Sequence, residues 1–275
     1  MIKRFSSYFL GMNSILVENH DQALIIDPGV FPDELATIKQ YLLENGIQAD
    51  GVMLTHTHGD HISGWYEFNY LPTLTSNLVL NKDDRQRSED VKFAVGLYKK
   101  RKFDYSLISF PTFSDLMENQ QSITIGNMRV ICLHTPGHSI DSCSLIFPEQ
   151  SLIVTGDMLV DIAAPYIFYS FDEYQKSLLA IREKVNEYNI QTLAPGHAHF
   201  AHGKKSILER IDRELNYIEH LISLGCRFLA SDMEKIDLEK HLLDHCTPEL
   251  RHNDAHKRNI KKFINDYYKN EICPD

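Results

Sequence analysis

His56, His58, Asp60 and His61 stand within six residues, in the segment Thr55-His56-Thr57-His58-Gly59-Asp60-His61, directly after the apolar run Gly51–Leu54. Imidazole and carboxylate are ligand types that zinc, iron and manganese all accept. A loop leaving a strand turns alternate side chains to opposite sides of one cleft, so this spacing suits metal ligation. A lone HxH would read as a polar turn capping a helix; HxHxDH after an apolar strand outweighs that reading. Three further segments set one potential ligand just past a glycine beyond an apolar run. They are Thr135-Pro136-Gly137-His138 after Met128–Leu133, Thr155-Gly156-Asp157 after Leu152–Val154, and Pro195-Gly196-His197 after Ile190–Leu193. Glycine there allows a tight turn and close approach of backbone to a site.

Together these segments offer seven ligands, enough for two divalent metal ions sharing one carboxylate. Zinc is the first expectation for the metal, with iron or manganese as alternatives. A hydroxide bridging two cations has its pKa drawn towards neutrality, so hydrolysis would need no serine or cysteine nucleophile. Asp60 is the candidate to orient that hydroxide.

The elements that must carry these loops follow from periodicity. Ser14–Val17 and Ala23–Ile26 read as paired strands, with a polar turn at Glu18–Asp21 and a break at Asp27-Pro28-Gly29. Pro32 and Asp33 open a helix with Leu35, Ile38, Leu42 and Leu43 on one face, stopped by Gly46. Gly51–Leu54, Met128–Leu133, Cys143–Phe147, Leu152–Val154 and Ile190–Leu193 read as strands. Lys82–Lys102 is charged and helical, and Tyr174, Leu178, Ile181, Val185 and Tyr188 share a helical face. Beyond Gly203 the chain turns helical: Ile207, Ile211, Leu215, Ile218 and Ile222 make a stripe, and helices follow near Ser231–His245 and Pro248–Asn270. With no linker or internal repeat in sight, the expected division is 1–203 for the catalytic domain and 204–275 for a helical extension.

Composition narrows the function classes. The chain has 275 residues, 43% of them apolar, enough to bury a sizeable core. Its 28 lysines and arginines face 38 aspartates and glutamates, a net charge of -10, so a nucleic-acid partner is not expected. Cys132, Cys143, Cys226, Cys246 and Cys273 form no CxxC pair and read as scattered, mostly buried thiols. The N-terminal apolar run is broken by Ser6, Ser7, Gly11 and Asn13, and no stretch approaches the ~20 apolar residues of a membrane helix. A cytoplasmic protein with no membrane partner is the expectation.

In the order HxHxDH, TPGH, GD and PGH, the chain resembles the metallo-β-lactamase-fold hydrolases from about Ser14 to Gly203. The Asn13–Gly29 opening and the aspartate-histidine second site resemble the glyoxalase II, thioesterase and lactonase branches. The resemblance implies an α/β fold, a four-layer αβ/βα sandwich with the metals at one edge and a C-terminal helical extension. It implies His56, His58 and His138 on a first metal, Asp60, His61 and His197 on a second, and Asp157 on both. It further implies a dinuclear metal-dependent hydrolase acting on a small ester, thioester or lactone, with a small-molecule acyl substrate as partner. The runner-up is a phosphodiesterase or endoribonuclease of the same fold; a third class is a binding protein that has lost the activity.

Several signals lie outside that set. Met158–Tyr169 contains no lysine or arginine, unlike the glutathione-binding stretch of glyoxalase II. Leu159, Val160, Ile162, Tyr166, Ile167, Phe168 and Tyr169 instead suit an apolar wall for an acyl group. Tyr166 and Tyr169 are candidates to donate a hydroxyl to a substrate carbonyl. Asp141 stands where the family has glycine and reads as a turn residue, and His199 and His202 read as rim residues. Lys176, Arg182 and Lys184, the cations between Gly137 and Gly203, sit on a helix away from the ligand loops.

Overall fold

Continuous aliphatic runs belong to strands buried on both faces, and this chain uses them to set two sheets back to back. The computed structural model describes residues 1–229 and 235–267. The first half comprises β1 (Ile2–Ser6), β2 (Asn13–Asn19), β3 (Gln22–Ile26), α1 (Pro32–Glu44), β4 (Gln48–Met53), α2 (Gly59–Ile62), β5 (Thr73–Ser76), α3 (Asp84–Arg101) and β6 (Asp115–Met117). The second comprises β7 (Ser122–Ile125), β8 (Met128–His134), β9 (Cys143–Phe147), β10 (Leu152–Val154), α4 (Phe171–Glu187), β11 (Thr192–Ala194) and β12 (Ala201–His202). The helical tail follows as α5 (Lys204–Leu229), α6 (Lys235–Asp244), α7 (Pro248–Arg251) and α8 (Asp254–Tyr267).

One six-stranded sheet runs β1-β2-β3-β4-β5-β6 and the other β12-β11-β10-β9-β8-β7. The first is antiparallel from β1 to β3 and parallel from β3 to β6. In the second, β10 and β11 are parallel and the remaining pairs antiparallel. Side chains alternate between faces as the pleat requires. Val130 and Cys132 of β8 join Ile15, Val17, Leu24 and Ile26 between the sheets. Ile131 and Leu133 point outward against α4 and the tail. Leu16 and Ile25 point to the other outer face, where α1 covers them. The result is a four-layer αβ/βα sandwich. Burial of each large aliphatic side chain in these layers contributes roughly 1.5–3 kcal/mol.

The outer core of the second sheet does not stop at Gly203. Ile153, Tyr174, Ile181 and Leu193 share one cluster with Ile207, Ile211, Ile218, Leu242, Ile260 and Phe263. The helical tail therefore packs on the sheet that carries three of the four ligand loops.

Some elements differ from expectation. Leu43 is 82% exposed, because at 100° per residue it rotates off the stripe that Leu35, Ile38 and Leu42 make. Gly46 ends α1 as expected, with φ +62° and Ile47 N–H donating to the Leu42 carbonyl at 2.9 Å. The strand expected at Ile190–Leu193 runs Thr192–Ala194, and the expected last helix is broken after Arg251, where Asn253 caps α8 through His256 N–H at 2.9 Å. β1, β5, β6, β7 and β12 were not expected; they are short or half-exposed strands, four of them clear of the sheets' middles. Residues 231–234 and 268–270 of the expected tail helices, and Cys273, lie outside the described residues. Cys132 and Cys143 are buried free thiols and Cys246 a half-buried one, whereas Cys226 is disulfide-bonded rather than free. Among the described residues no helix is long and apolar enough to cross a membrane.

Candidate metal centre

Parallel neighbours end their strands on the same side, so the loops after β3, β4, β8, β10 and β11 converge on one edge of the sandwich. Backbone contacts lock them together there: Cys143 N–H donates to the Thr55 carbonyl at 2.8 Å, and Gly196 N–H to the Gly156 carbonyl at 2.6 Å. Gly196 is required by crowding. A Cβ there would lie 2.5 Å from Asp157 Oδ1 and 2.8 Å from His61 Cε1.

All seven expected ligands meet at this edge, in three overlapping groups: His56, His58 and His138; His56, His61 and Asp157; Asp60, His61 and His197. His58 Nδ1 lies 3.1 Å from His56 Nε2 and 2.9 Å from His138 Nε2. His197 Nε2 lies 3.2 Å from Asp60 Oδ2 and 3.4 Å from Asp157 Oδ1. Asp157 Oδ2 lies 3.4 Å from His138 Nε2, so its two oxygens face the two halves of the cluster.

The far side of four of the five rings sets the tautomer. His61 Nδ1–H donates to Asp27 Oδ2 at 2.9 Å, His138 Nδ1–H to the Tyr166 carbonyl at 2.8 Å, and His197 Nδ1–H to the Leu10 carbonyl at 3.2 Å. Thr55 gives its hydroxyl proton to Asp27 Oδ2 at 2.6 Å, so its oxygen accepts from His56 Nδ1 at 3.2 Å. Four Nε2 lone pairs are thereby aimed inward, as metal-binding histidines require.

Electrostatics divide the site. Burial, reinforced by neighbouring His61 and His58, holds His56 well below the usual imidazole range. Burial and His138 push His58 down to about 3, and burial also lowers His138. Burial opposes charge on His61 and His197, but Asp157 and its fellow carboxylates outweigh it and raise both. Desolvation works against charge on the half-buried Asp157, yet His197, His61 and His138 hold it well below the usual carboxylate range. His61 Nε2 and Asp157 Oδ1 approach to 3.1 Å, but both are buried without a hydrogen-bond partner. Converging imidazole nitrogens and carboxylate oxygens, two of them buried without a partner, are what a divalent cation satisfies, so the residues present fit metal ions.

A profile of the Metallo-beta-lactamase superfamily matches residues 8–197. The chain belongs to the metallo-beta-lactamase superfamily. It is 28% identical over 213 residues to a beta-lactamase-like protein 2 homolog of Drosophila melanogaster, covering 76% of this chain and 64% of that one. It is 26% identical over 149 residues to an atrochrysone carboxyl ACP thioesterase of Aspergillus chevalieri, covering 54% of this chain and 40% of that one. The chain spans about three-fifths of the length of the first curated relatives it matches. Among solved structures, a metallo-beta-lactamase family protein of Thermus thermophilus superposes with a TM-score of 0.66 at 16% identity, covering 98% of this chain and 93% of that one. The His/Asp groups that could hold metal ions thus stand on the fold of that superfamily.

Other expectations divide. Tyr166 meets the centre through its main-chain carbonyl, and Tyr169 is 42% exposed. Among the described residues neither phenol hydrogen-bonds a ligand residue. Met158, Leu159 and Ile167 are core residues rather than wall. The exposed wall is Phe168, whose ring meets His58 and His138 edge-on at 5.7 and 5.2 Å, with Tyr166 stacked on it at 5.8 Å. His199 and His202 are exposed and join no ligand group.

Asp141 stands in a turn, as expected, and its carboxylate is engaged there. It is fully buried and accepts from Thr57 N–H at 2.9 Å, Thr57 Oγ1 at 2.6 Å and Ser139 Oγ at 2.8 Å. Lys82 Nζ completes the cluster, donating to Thr57 Oγ1 at 2.8 Å and Asp90 Oδ2 at 2.6 Å. Thr57 lies between two ligands, so this buried network holds the HxH turn. Burial pushes Asp90 up to about 6 against the pull of Lys82. Sequence reasoning missed Asp27, Thr57, Lys82 and Asp90. Asp27 had a signal, a carboxylate at a strand end beside Pro28-Gly29; Lys82 and Asp90 looked like a solvated helix face.

Proposed function

We propose that the chain hydrolyses a small apolar ester, thioester or lactone, with two divalent ions, zinc first among the candidates, as cofactor. The observation that carries this is Phe168, 47% exposed and set edge-on over two ligand imidazoles. Such an aromatic wall suits an acyl group, whose burial is worth about 25 cal/mol per Å². The cations between Gly137 and Gly203 sit on α4 and are already engaged: Lys176 with Asp172 and Glu173, Arg182 with Asp212, and Lys184 with Glu187. Lys82 is buried in its own network. That leaves this face poorly equipped for a polyanion. The Aspergillus relative, named as an ACP thioesterase, supports the same substrate class.

Bound divalent ions would supply Lewis acidity to the substrate carbonyl and bring water towards ionisation at neutral pH. His56, His58, Asp60, His61, His138, Asp157 and His197 would hold them. The chain contributes orientation and charge. Burial opposes ionisation of Asp60, but His61 and His197 keep it ionised, so it is a hydrogen-bond acceptor for an attacking water. Asp27 and the Tyr166 and Leu10 carbonyls keep three imidazoles from rotating. The buried loops exclude bulk water from one side, and Phe168 borders the approach.

The test combines metal analysis of protein purified without chelator with kcat/KM for acyl-thioesters, lactones and an RNA oligonucleotide at two salt concentrations. Two bound ions and thioester or lactone turnover that is abolished by chelators, and indifferent to serine- and thiol-directed reagents, are expected. Efficient RNA cleavage that weakens steeply with salt, beside negligible acyl turnover, would overturn the proposal.

A further inference from the structure

One side chain of the helical tail reaches the loop that supports a histidine of the candidate metal centre. Asn259 of α8 is fully buried, and its amide spans the loop that follows Asp157. Its Nδ2 donates to the Pro165 carbonyl at 2.7 Å, and its Oδ1 accepts from Ile167 N–H at 3.2 Å. These two backbone groups flank Tyr166, whose carbonyl takes the Nδ1–H of His138. A side-chain amide carries a donor and an acceptor in one plane, so asparagine is suited to bridge them. The amide is braced from behind. Its Nδ2 also donates to Tyr217 Oη at 3.0 Å, which turns the tyrosine O–H onto His256 Nδ1 at 2.8 Å.

The rest of the loop has separate anchors. Phe168 N–H donates to the His138 carbonyl and Tyr169 N–H to that of Gly137, both at 3.1 Å. Arg210 of α5 donates to the Leu159 carbonyl at 3.1 Å and the His199 carbonyl at 2.9 Å. Residues 159–170 contain no helix or strand to fix them, which leaves the Pro165–Ile167 stretch to Asn259.

We propose that Asn259 is a positioning residue for the ligand His138: by clamping both peptides around Tyr166, the tail fixes the carbonyl that orients the imidazole and the ring of Phe168 beyond it. The proposal rests on the reading of His56, His58 and His138 as a metal cluster. Partners that orient a ligand histidine characteristically govern metal affinity by 10–100-fold.

The experiment measures divalent-metal affinity of the full chain, stripped and titrated with Co2+ against a chromophoric chelator, with the visible Co2+ spectrum as a second readout. Asn259→Asp keeps the acceptor for Ile167 but loses both donations and sets an oxygen against the Pro165 carbonyl. It is expected to weaken one metal equivalent by about 10–100-fold and to alter that ion's spectrum. Tyr217→Phe removes the brace without touching the loop; it is expected to lower the Tm while leaving affinity within about 2-fold, below the loss that an orienting partner produces. Should Asn259→Asp not fold, Asn259→Ser, which removes the loop contacts without adding charge, carries the same expectation. Wild-type affinity in the Asn259 variants, or losses that track Tm equally in Asn259 and Tyr217 variants, would overturn the proposal. A wild-type chain that binds no Co2+ at all would overturn the metal reading beneath it.

Discussion

Asp27 Oδ2 lies 2.9 Å from His61 Nδ1 while also taking the Thr55 hydroxyl, and Asp27 Oδ1 takes Thr55 N–H at 2.8 Å. One carboxylate at the end of β3 thus sets the rotation of His61 directly and of His56 through Thr55. The two rings meet in the group with Asp157, and each also enters another, His56 with His58 and His138 and His61 with Asp60 and His197, so Asp27 ties the halves of the centre to the same strand end.

Asp27→Asn is nearly isosteric but replaces one acceptor oxygen by a donor, which cannot serve both Thr55 and His61. Metal affinity is expected to fall by about 10–100-fold, with the apo fold retained by circular dichroism. Chelator competition measures it; affinity unchanged from wild type would show that the contact does not orient the ligands.

Lys82→Met removes the cation that Asp90 and Asp141 share. Leaving buried carboxylates uncompensated costs about 3–5 kcal/mol, so the urea midpoint should drop with its m-value unchanged. Adding Asp90→Asn to Lys82→Met should recover part of the loss, because one of the stranded charges is gone. Equal midpoints for Lys82→Met and wild type would mean that the network does not stabilise the HxH turn.

The seven side chains that the fold brings together were legible in the sequence because metal chemistry limits residue types, and because the segments HxHxDH, TPGH, GD and PGH each follow a strand and carry a glycine. Central strands were legible for a related reason: burial on both faces leaves unbroken runs such as Val130–Leu133. The residues that hold the ligands left no such mark. Lys82 and Asp90 bracket the start of a charged helix, and Asn259 meets Pro165 across 94 positions. Their roles arise only when the sheets bring distant segments together. Edge strands such as β7, with alternately exposed Ser122 and Thr124, carry too little apolar pattern to stand out from a loop.

Glu214 supplies a pH test away from the metals. It is 3% exposed and accepts the Tyr174 hydroxyl at 2.9 Å. Burial pushes its carboxyl up to about 7, against a weaker pull from Tyr174 and Arg213. A folded pKa raised above the unfolded value of 4.5 stabilises the fold fully below that value, and the contribution is lost as pH rises through 7. Glu214→Gln keeps an acceptor for Tyr174 and cannot ionise. The stability of wild type minus that of Glu214→Gln should therefore decline between pH 4.5 and 7.5, by on the order of 3 kcal/mol. A flat difference across that window would place the carboxyl at its ordinary value.

Phe168 tests the substrate wall. Its ring touches His58 and His138 only edge-on, and its backbone N–H still anchors the loop to the His138 carbonyl when the ring is gone. Phe168→Ala should therefore leave metal affinity near wild type while removing apolar area from the approach to the centre. Losing about 60 Å² of contact with an acyl chain corresponds to ~1.5 kcal/mol, or roughly a tenfold loss in kcat/KM. The loss should fall on long-chain thioesters and spare acetyl esters, since only the former reach the ring. A panel of acyl chain lengths reads this directly: a rising dependence of kcat/KM on chain length in wild type should flatten in Phe168→Ala. Parallel profiles for the two proteins would remove Phe168 from the substrate path and move the acyl group to another wall of the cleft.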